Sequence, residues 1–533
     1  MAKTATIVLQ TAERLLALLE NHWALILSSL LVVLAVSSLM SVGDYPSPFC
    51  DEPFLSSMSY NFIHAGHFGV SGLEGIAGLD RTNAGTGRLY HIGQGLLLLA
   101  GNTLVVARLF SVLGWGLAIL FTGLIGRRLH DSLTGLLAAA ILATSLNGFY
   151  ASHLSRQEAW LVAAVAGALY YYLLVRDAPT QTRYFFLGLL MGAPLGFHTN
   201  GIWFELAQAA LILWDNLRSP QGRLNILSAG LGGLLSVTFM LALQLLPDPR
   251  LAWEQLSGVI ARIGELWGRS LQDRLIDQWH FAVSGGVLAL NRAVLPFTVY
   301  ALSAALFLAY RHRAEDRVVL WMWGSSLALF TFGMSHRNLR YIVLWDAFSA
   351  LGIAAAATGI GRMVAARWQR IRPAAAALLV TSPLLFANTI AQLWLAYRFQ
   401  PRDLESYQSR VAALIPPGSR VFGDPVLWYR FNQRNHFIMD FYLSYYHAHY
   451  SQFMDVGMSQ EELASALDAL DIDYAIDNGA IACGFDPDPL LGRYRVYLET
   501  RCALVGQFED RWFGGRGPLG QGGPTVVYRC SDP

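Results

Sequence analysis

The chain is organised around the segment Gly43-Asp44-Tyr45-Pro46-Ser47-Pro48-Phe49-Cys50-Asp51-Glu52-Pro53. This segment directly follows the apolar run from Trp23 to Val42, which is long enough to cross a bilayer. Asp51 and Glu52 are therefore expected at a membrane surface. Carboxylates there contribute little to packing but can take a proton from an incoming nucleophile. The sequence favours Asp51 as the base, with Glu52 as a second catalytic candidate or as the residue that holds the helix start.

A short helix is predicted immediately after the acidic pair. Pro53 suits the first position of a helix and disfavours helical geometry at the residue before it. The apolar residues that follow fall on one side, and the helix should end near His64 and Gly66. We expect this helix to lie flat in the membrane interface and to hold the acidic pair at headgroup level.

Composition identifies a polytopic membrane protein. Of 533 residues, 54% are hydrophobic and only 14% are charged, against about 25% charged in a typical soluble domain. The net charge of +1 gives no argument for binding nucleic acid. No small-residue cleavage site follows Trp23–Val42, so we expect that segment to be retained as a first span.

Apolar runs predict eleven crossings. Basic clusters occur at alternate connections, and placing them in the cytoplasm puts the N-terminus inside. The outer side then receives residues 43–102, the turn 147–158, the turn around His198, the loop 247–280, the turn 336–340 and everything after about 396. The candidate spans are 23–42, 103–125, 132–149, 159–175, 183–197, 201–214, 224–246, 281–310, 318–335, 341–360 and 373–395.

The fifth and sixth spans are unusually short. Residues 183–214 form one apolar stretch with basic residues at both ends, so it must cross twice. The break is predicted in the segment from Pro194 to Gly201. Broken helices at membrane depth are tolerated chiefly where they line a cavity.

The C-terminal tail is more polar than the preceding chain, and its helical and β-rich runs alternate. We predict a transmembrane domain over 1–396, which includes the outer loop 43–102, and an extracytoplasmic α/β domain over 397–533. All four cysteines fall on the predicted outer side, which permits a disulfide bond between Cys483 and Cys502 or between Cys502 and Cys530. The β-rich runs are Arg420–Gly423, Phe437–Asp440, Ile472–Asp477, Ala503–Phe508 and Thr525–Arg529.

Two further outer segments carry candidate ligands for an anion. Arg156 and Glu158 open the fourth span, where Ser155 and Glu158 also have the spacing of a capping box. His336, Arg337 and Arg340 share a short outer turn that ends at Tyr341. Guanidinium groups grip phosphate oxygens bidentately, so this turn is the preferred phosphate clamp. Snorkelling of the arginines to lipid headgroups is the alternative.

Additional cations and histidines lie on the same side. Arg88 and His91 form a looser cluster before the second span. His64, His67 and His198 carry metal-ligating atoms, but the sequence favours hydrogen-bonded interfacial histidines. We expect that no cofactor is required, and a divalent metal is the less favoured alternative.

These motifs together resemble the GT-C glycosyltransferases, within them the branch of protein O-mannosyltransferases and lipid A aminoarabinose transferases. The resemblance rests on the acidic pair with its short helix and covers residues 23–360. Departures are Gly66-His67 in place of Gly-Asp, Arg88-Leu89-Tyr90-His91 in place of Lys- or His-Pro-Pro, and His198-Thr199-Asn200 in place of a lysine. Further matching motifs are Arg108-Leu109-Phe110-Ser111, Gly126-Arg127-Arg128-Leu129, Ser155-Arg156-Gln157-Glu158 and Arg340-Tyr341.

The resemblance implies an inverting glycosyltransferase that uses a polyprenyl-phosphate-linked sugar donor on the extracytoplasmic face, in a bacterial inner membrane. Asp51 and Glu52 would be catalytic, and the donor phosphate would lie against Arg337, Arg340, Arg88 and Arg156. The expected substrate contacts are His91, Glu158, His198 and Tyr341. The acceptor would be a protein, lipid or glycan, with no role for nucleic acid.

Three alternatives stay open from the sequence. A flippase for lipid-linked saccharides predicts charges at mid-span, whereas this chain concentrates them at the outer surface. A ligase or polymerase that uses lipid-pyrophosphate oligosaccharides shares the same geometry. A non-enzymatic scaffold predicts no consequence from changing Asp51. The sequence does not identify the sugar, the acceptor or the oligomeric state.

Overall fold

The structure is a computed structural model. It describes residues 22–76, 78–268, 270–279, 289–333, 339–369, 371–400, 403–440, 442–443, 458–479, 481, 487–513 and 523–531.

The first half of the described chain is entirely helical. Ten helices follow one another, most of them apolar and separated by short connections. They are α1 (Trp23–Ser41), α2 (Asp51–Ala65), α3 (Arg88–Leu98), α4 (Leu104–Leu129), α5 (Ser132–Ala143), α6 (Leu146–Ser152), α7 (Glu158–Asp177), α8 (Gln181–Phe197), α9 (Gly201–Asn216) and α10 (Pro220–Leu245).

The second half adds further helices and a sheet. A 3-10 turn, Leu339–Trp345, leads into α15, and a second one, Pro425–Leu427, precedes α18. The helices are α11 (Pro249–Trp267), α12 (Leu271–Trp279), α13 (Ala289–Arg311), α14 (Ala314–Gly333), α15 (Asp346–Arg367), α16 (Pro373–Phe399), α17 (Leu404–Ala413), α18 (Trp428–Phe431), α19 (Gln460–Ala469) and α20 (Pro487–Arg501).

Six helices in the described ranges are long and apolar enough to cross a bilayer, and a bent pair raises the number to seven. The six are α1, α4, α7, α10, α15 with the last residues of its preceding turn, and α16. The bent pair is α5 and α6, which meet at 61°. Such helices make the chain an integral membrane protein. The eleven predicted crossings include several shorter helices, so that number stays a prediction.

The predicted break in the fifth and sixth spans is confirmed. Helix α8 contains Pro194 and ends at Phe197, and α9 begins at Gly201. The prolyl ring removes one backbone donor from the last turns of α8. His198 caps the end of α8 in an extended conformation, so the chain changes direction there.

The helix after the acidic pair differs from the prediction in two ways. It begins at Asp51, so Glu52 is helical and Pro53 is the third residue. Proline is tolerated there because the first four N–H groups of a helix have no intrahelical acceptor. The helix ends at Gly66, which has a φ of 73°, as predicted. The predicted one-sided apolar face is wrong, because every residue from Glu52 to Ser59 is buried. The location of this helix in the membrane interface stays a prediction.

The tail forms a five-stranded mixed sheet in the order β2-β1-β3-β5-β4. Strands β1, β2 and β3 are mutually parallel, and β5 runs antiparallel to both β3 and β4. The strands lie where the sequence predicts them: β1 (Arg420–Gly423), β2 (His436–Met439), β3 (Tyr474–Asp477), β4 (Ala503–Asp510) and β5 (Gly523–Arg529).

A disulfide bond joins the sheet's last two strands. Cys502, just before β4, bonds to Cys530, just after β5. Of the two predicted pairings this one is confirmed, and the pairing of Cys502 with Cys483 is wrong, since Cys502 is already bonded. Cys483 itself lies outside the described residues, and Cys50 is also disulfide-bonded.

The two largest of the three hydrophobic clusters among the described residues organise the fold. One lies among the apolar helices and includes Trp115 and Phe348. The other combines the outer loop with the tail, because Phe54, Met58 and Leu79 pack in one cluster with Trp428. The loop after the first span is therefore held against the sheet as well as against the helices.

Candidate functional site

Glu52 is fully buried and binds Arg108. Nε of Arg108 donates to Oε1 of Glu52 at 2.7 Å and Nη2 donates to Oε2 at 2.8 Å. Both side chains are 0% exposed. This two-point contact matches the planar fork of a guanidinium to a carboxylate, which fixes orientation as well as position.

Glu52 and Arg108 also form hydrogen bonds with the backbone of neighbouring segments. The backbone N–H groups of Phe49 and Ser155 both donate to the Glu52 carboxylate at 2.7 Å. Arg108 also donates to the backbone oxygens of Val42, Tyr45 and Pro46. Glu52 thus has no lone pair directed to solvent. Its hydrogen bonds fix the loop and the start of α2.

Asp51 lies beside this pair but retains access to solvent. Its side chain is 28% exposed and forms an ion pair with Arg156. Arg156 in turn binds Glu158, with Nε and Nη2 donating to Oε1 at 3.0 and 2.8 Å. One guanidinium therefore holds two carboxylates, and Asp51 is the exposed one.

The capping box that the spacing of Ser155 and Glu158 allows at the fourth span does not form. Gln157, not Ser155, precedes the first residue of α7, and it makes no side-chain capping bond. Ser155 instead bonds to Ser56 at 3.0 Å and accepts from Gln94 at 2.6 Å. Glu158 is free for Arg156 because the cap does not need it.

The break between α8 and α9 reaches the same cluster. His198 lies close enough to Glu158 and Arg156 for their charges to influence its pKa. The ring of Tyr341 meets the ring of His198 edge-on at 5.7 Å. The structure thus brings together five residues that the sequence selected: Asp51, Arg156, Glu158, His198 and Tyr341.

The predicted phosphate clamp is only partly described. His336 and Arg337 lie outside the described residues, and of Arg340 the structure describes the backbone alone, in the turn Leu339–Trp345. That backbone immediately precedes Tyr341, so the turn itself reaches the cluster.

Arg88 is a buried guanidinium without a carboxylate partner in the described chain. It is 2% exposed and lies over the ring of Phe68 at 4.1 Å. Nη2 donates to Thr82 Oγ1 at 2.6 Å and to the backbone oxygen of Gln244 at 3.2 Å. Its Nε and Nη1 have no hydrogen-bond partner among the described residues. Burial lowers the pKa of Arg88 to about 10, so it stays charged at neutral pH.

The start of α3 lies against the break that carries His198. A Cβ on Gly87 would come within 2.1 Å of the backbone oxygen of Phe197, so only glycine permits this approach. Arg88 follows Gly87, and His198 follows Phe197. The unpaired guanidinium and the Asp51 cluster are thus next to the same segment of chain.

A buried polar network runs from Glu52 to α3. Ser155, which donates to Glu52, also accepts from Gln94, and Gln94 accepts from Ser59 at 2.7 Å. Ser59 bonds to Nδ1 of His91 at 2.9 Å, and Nε2 of His91 bonds to Thr86 at 3.1 Å.

His91 is a neutral member of this network. Burial lowers its pKa to about 3, and the charge of Arg88 lowers it further. The buried ring therefore carries no charge at physiological pH, and both of its nitrogens are hydrogen-bonded within the network.

The described residues contain no group of three or more histidine, cysteine or acidic side chains that could hold a metal ion. His64 bonds through Nδ1 to the backbone oxygen of Tyr60, and His67 accepts from the backbone of Gly69. Both histidines are thus used locally.

Sequence reasoning missed the partners that fix the site. Arg108 entered only as part of a family motif, although a lone arginine in an apolar run signals a buried role. Tyr429, which bonds to Ser56 at 2.9 Å, belongs to the tail. No local pattern could have paired it with α2, because 373 residues separate them.

A family profile matches part of the chain. Residues 89–242 match the profile of a family described as dolichyl-phosphate-mannose-protein mannosyltransferase. The match includes Arg156, Glu158 and His198. The search of curated proteins found no match.

Solved structures share the fold at low sequence identity. ArnT from Cupriavidus metallidurans bound to undecaprenyl phosphate superposes with a TM-score of 0.61 at 13% identity, over 95% of this chain and 98% of that chain. The Archaeoglobus fulgidus oligosaccharyltransferase gives 0.54 at 13% identity, over 86% and 70%. The chain therefore has a GT-C fold, and the predicted resemblance is confirmed.

Removing Arg108 should destabilise the protein strongly. Arg108→Met leaves Glu52 buried and unpaired, which costs about 3–5 kcal/mol. Glu52→Gln combined with Arg108→Met should cost less than the two single changes together, which a double-mutant cycle of unfolding in detergent measures.

The control is the exposed pair Arg250–Glu254, whose side chains are 89% and 57% exposed. Arg250→Met should cost less than about 1 kcal/mol. An Arg108→Met protein as stable as this control would contradict the assigned role of the buried pair.

The neutral state of His91 makes stability depend on pH. The unfolded chain binds a proton at His91 near pH 6.5, whereas the folded chain does so only near pH 3. The contribution of neutral His91 to the free energy of unfolding is therefore fully present above about pH 6.5. It falls as the pH drops toward 3, by up to about 1.4 kcal/mol per pH unit. His91→Gln should flatten the decline of the unfolding midpoint between pH 7 and 5; a curve parallel to that of the unchanged protein would contradict it.

Proposed function

We propose that this protein is an inverting glycosyltransferase that moves a sugar from a polyprenyl-phosphate-linked donor to an acceptor on the extracytoplasmic face of the membrane. The observation that carries the proposal is the exposed carboxylate of Asp51, held by Arg156 beside His198 and Tyr341. The GT-C fold supports it, as does the family profile that matches residues 89–242.

Asp51 is the proposed base. Its carboxylate takes the proton from an acceptor hydroxyl or amine, whose lone pair attacks the anomeric carbon opposite the phosphate. The bond between that carbon and the phosphate oxygen breaks, and its electron pair leaves with the polyprenyl phosphate. Arg156 orients Asp51, and Glu158 positions Arg156. Glu52, bound on every side, holds the helix start for this arrangement.

Arg88 is the proposed centre of phosphate binding. Its Nε and Nη1 are unused within the described chain, and no acid neutralises it. A guanidinium in a dry site stabilises charge that grows on a leaving phosphate. Arg337 and Arg340 are proposed to complete the clamp from the turn that carries Tyr341. Arg156 contributes through its charge, since Asp51 and Glu158 already occupy its donors.

The proposed topology has eleven crossings, a cytoplasmic N-terminus and an extracytoplasmic domain over 397–533, in a bacterial inner membrane. The disulfide bond between Cys502 and Cys530 supports an outer location for the tail, because such bonds persist in oxidising compartments. The proposed reaction uses no cofactor.

Incubation of the purified protein with labelled polyprenyl-phosphate sugars and membrane extract tests the function directly. Transfer of label to a protein, lipid or glycan is expected. Movement of an unchanged donor across vesicles would indicate the flippase, and transfer only from a lipid-pyrophosphate oligosaccharide would indicate the ligase or polymerase.

Asp51→Asn should lower turnover by about 10²–10⁴-fold, which is the usual contribution of a general base. Binding of undecaprenyl phosphate should be retained. Asp80→Asn is the matched control, because Asp80 lies in the same outer loop but belongs to no ion pair in the described structure. Full turnover by Asp51→Asn would remove Asp51 from the base role.

Arg88→Met should weaken binding of undecaprenyl phosphate about 10–100-fold, since a hydrogen bond to a charged group contributes about 1.5–3 kcal/mol. The fold should tolerate the change, because replacing a buried charge by an apolar side chain of similar size is often neutral. Arg81→Met is the control, as Arg81 is 64% exposed. Equal affinity of both variants would rule out Arg88 as a phosphate ligand.

A further inference from the structure

The break between α8 and α9 fixes the tautomer of His198. The backbone N–H of Asn200 donates to Nδ1 of His198 at 2.9 Å. Nδ1 must therefore carry a lone pair, and in the neutral ring the proton sits on Nε2. Burial lowers the pKa of His198 to about 4; Glu158 opposes this shift and Arg156 adds to it. At physiological pH the side chain is thus an uncharged donor.

This donor is unused by the part of the chain that the structure describes. Within the described ranges, Nδ1 makes the single hydrogen bond of the ring, and the contact with Tyr341 is made edge-on between rings. The carboxylate that lies nearby, Glu158, is already bound by Arg156. His198 as a whole is 7% exposed. A donor that the described residues do not use is available to an acceptor on a ligand.

We infer that His198 binds the sugar of the donor and contributes to sugar specificity. Its Nε2–H donates a hydrogen bond to a hydroxyl oxygen of an uncharged monosaccharide. This inference rests on the proposed function and adds a specificity-determining residue to it. His198 stands within the electrostatic reach of Arg156, and Arg156 holds Asp51. The residue is therefore next to the place where the anomeric carbon must meet the acceptor.

Among phosphate, ammonium and hydroxyl groups, the N–H of a neutral His198 is best matched by a hydroxyl oxygen. A neutral imidazole with one N–H supplies no positive charge, so a phosphate gains more from Arg88, whose Nε and Nη1 are unpaired. An ammonium group on the sugar would place its N–H donors against Nε2–H of His198, which is also a donor, so neither group would gain a hydrogen bond. A hydroxyl oxygen accepts the N–H and satisfies it.

Equilibrium binding to the full-length protein, without acceptor, tests the inference. The probes are undecaprenyl phosphate alone and undecaprenyl phosphates that carry mannose, glucose or galactose. The unchanged protein should bind at least one sugar-linked lipid more tightly than the bare lipid. His198→Leu should reduce that affinity about 10–100-fold while the affinity for the bare lipid changes less than about twofold.

Two variants separate the hydrogen bond from structure. His198→Gln keeps an N–H donor and should lose less than His198→Leu. His64→Leu alters an exposed histidine of α2 and should bind every probe as the unchanged protein does. Retained affinity of His198→Leu for the bare lipid shows that the variant is folded.

Three results would overturn the inference. In the first, the unchanged protein binds none of the sugar-linked lipids more tightly than the bare one. In the second, His198→Leu lowers the affinity for sugar-linked and bare lipid alike. In the third, it lowers neither. Absence of label transfer by the unchanged protein would instead overturn the proposed function, and the binding difference would still stand as evidence for the sugar contact.

Discussion

The fully buried pair of Glu52 and Arg108 is the interaction on which the outer face of this protein depends. Taking both charges out of water is expensive, and the cost is recovered only because every oxygen and most of the N–H groups are bonded. Those bonds reach α2, α4 and the backbone before α7. Removing either partner would release the loop that carries Asp51 and the segment that carries Arg156.

Around this pair, the side chains that fix the structure differ from those that are available for the reaction. Adjacent carboxylates have opposite surroundings: Glu52 is enclosed, whereas Asp51 keeps 28% of its side chain exposed. The arginines differ in the same way, since Arg156 is bound by two acids and Arg88 by none in the described chain. A charge that the protein itself neutralises fixes geometry, and a charge left unpaired in a dry site is available to a ligand.

The sequence predicted most of the elements and selected several residues that the structure places close together. Periodicity and length gave the apolar helices, Pro194 gave the break, and turn residues bounded the strands. It failed at the start of α2, where tertiary bonds to Glu52 override the preference of Pro53, and at Glu158, where Arg156 takes the carboxylate from the cap that the spacing allows. Both failures occur within the site, where local preferences compete with long-range charge pairs.

Composition and apolar length alone determined that this chain enters a membrane, because about 20 apolar residues in a row can be buried only in lipid or in a large core. Acidic residues just past the first span were visible too. Only the tertiary structure decided which carboxylate is enclosed and which is partly exposed, which arginine has no acidic partner among the described residues, and which nitrogen of His198 holds the proton. Those properties depend on contacts between segments far apart in the chain, and a residue's neighbours in sequence do not specify its neighbours in space.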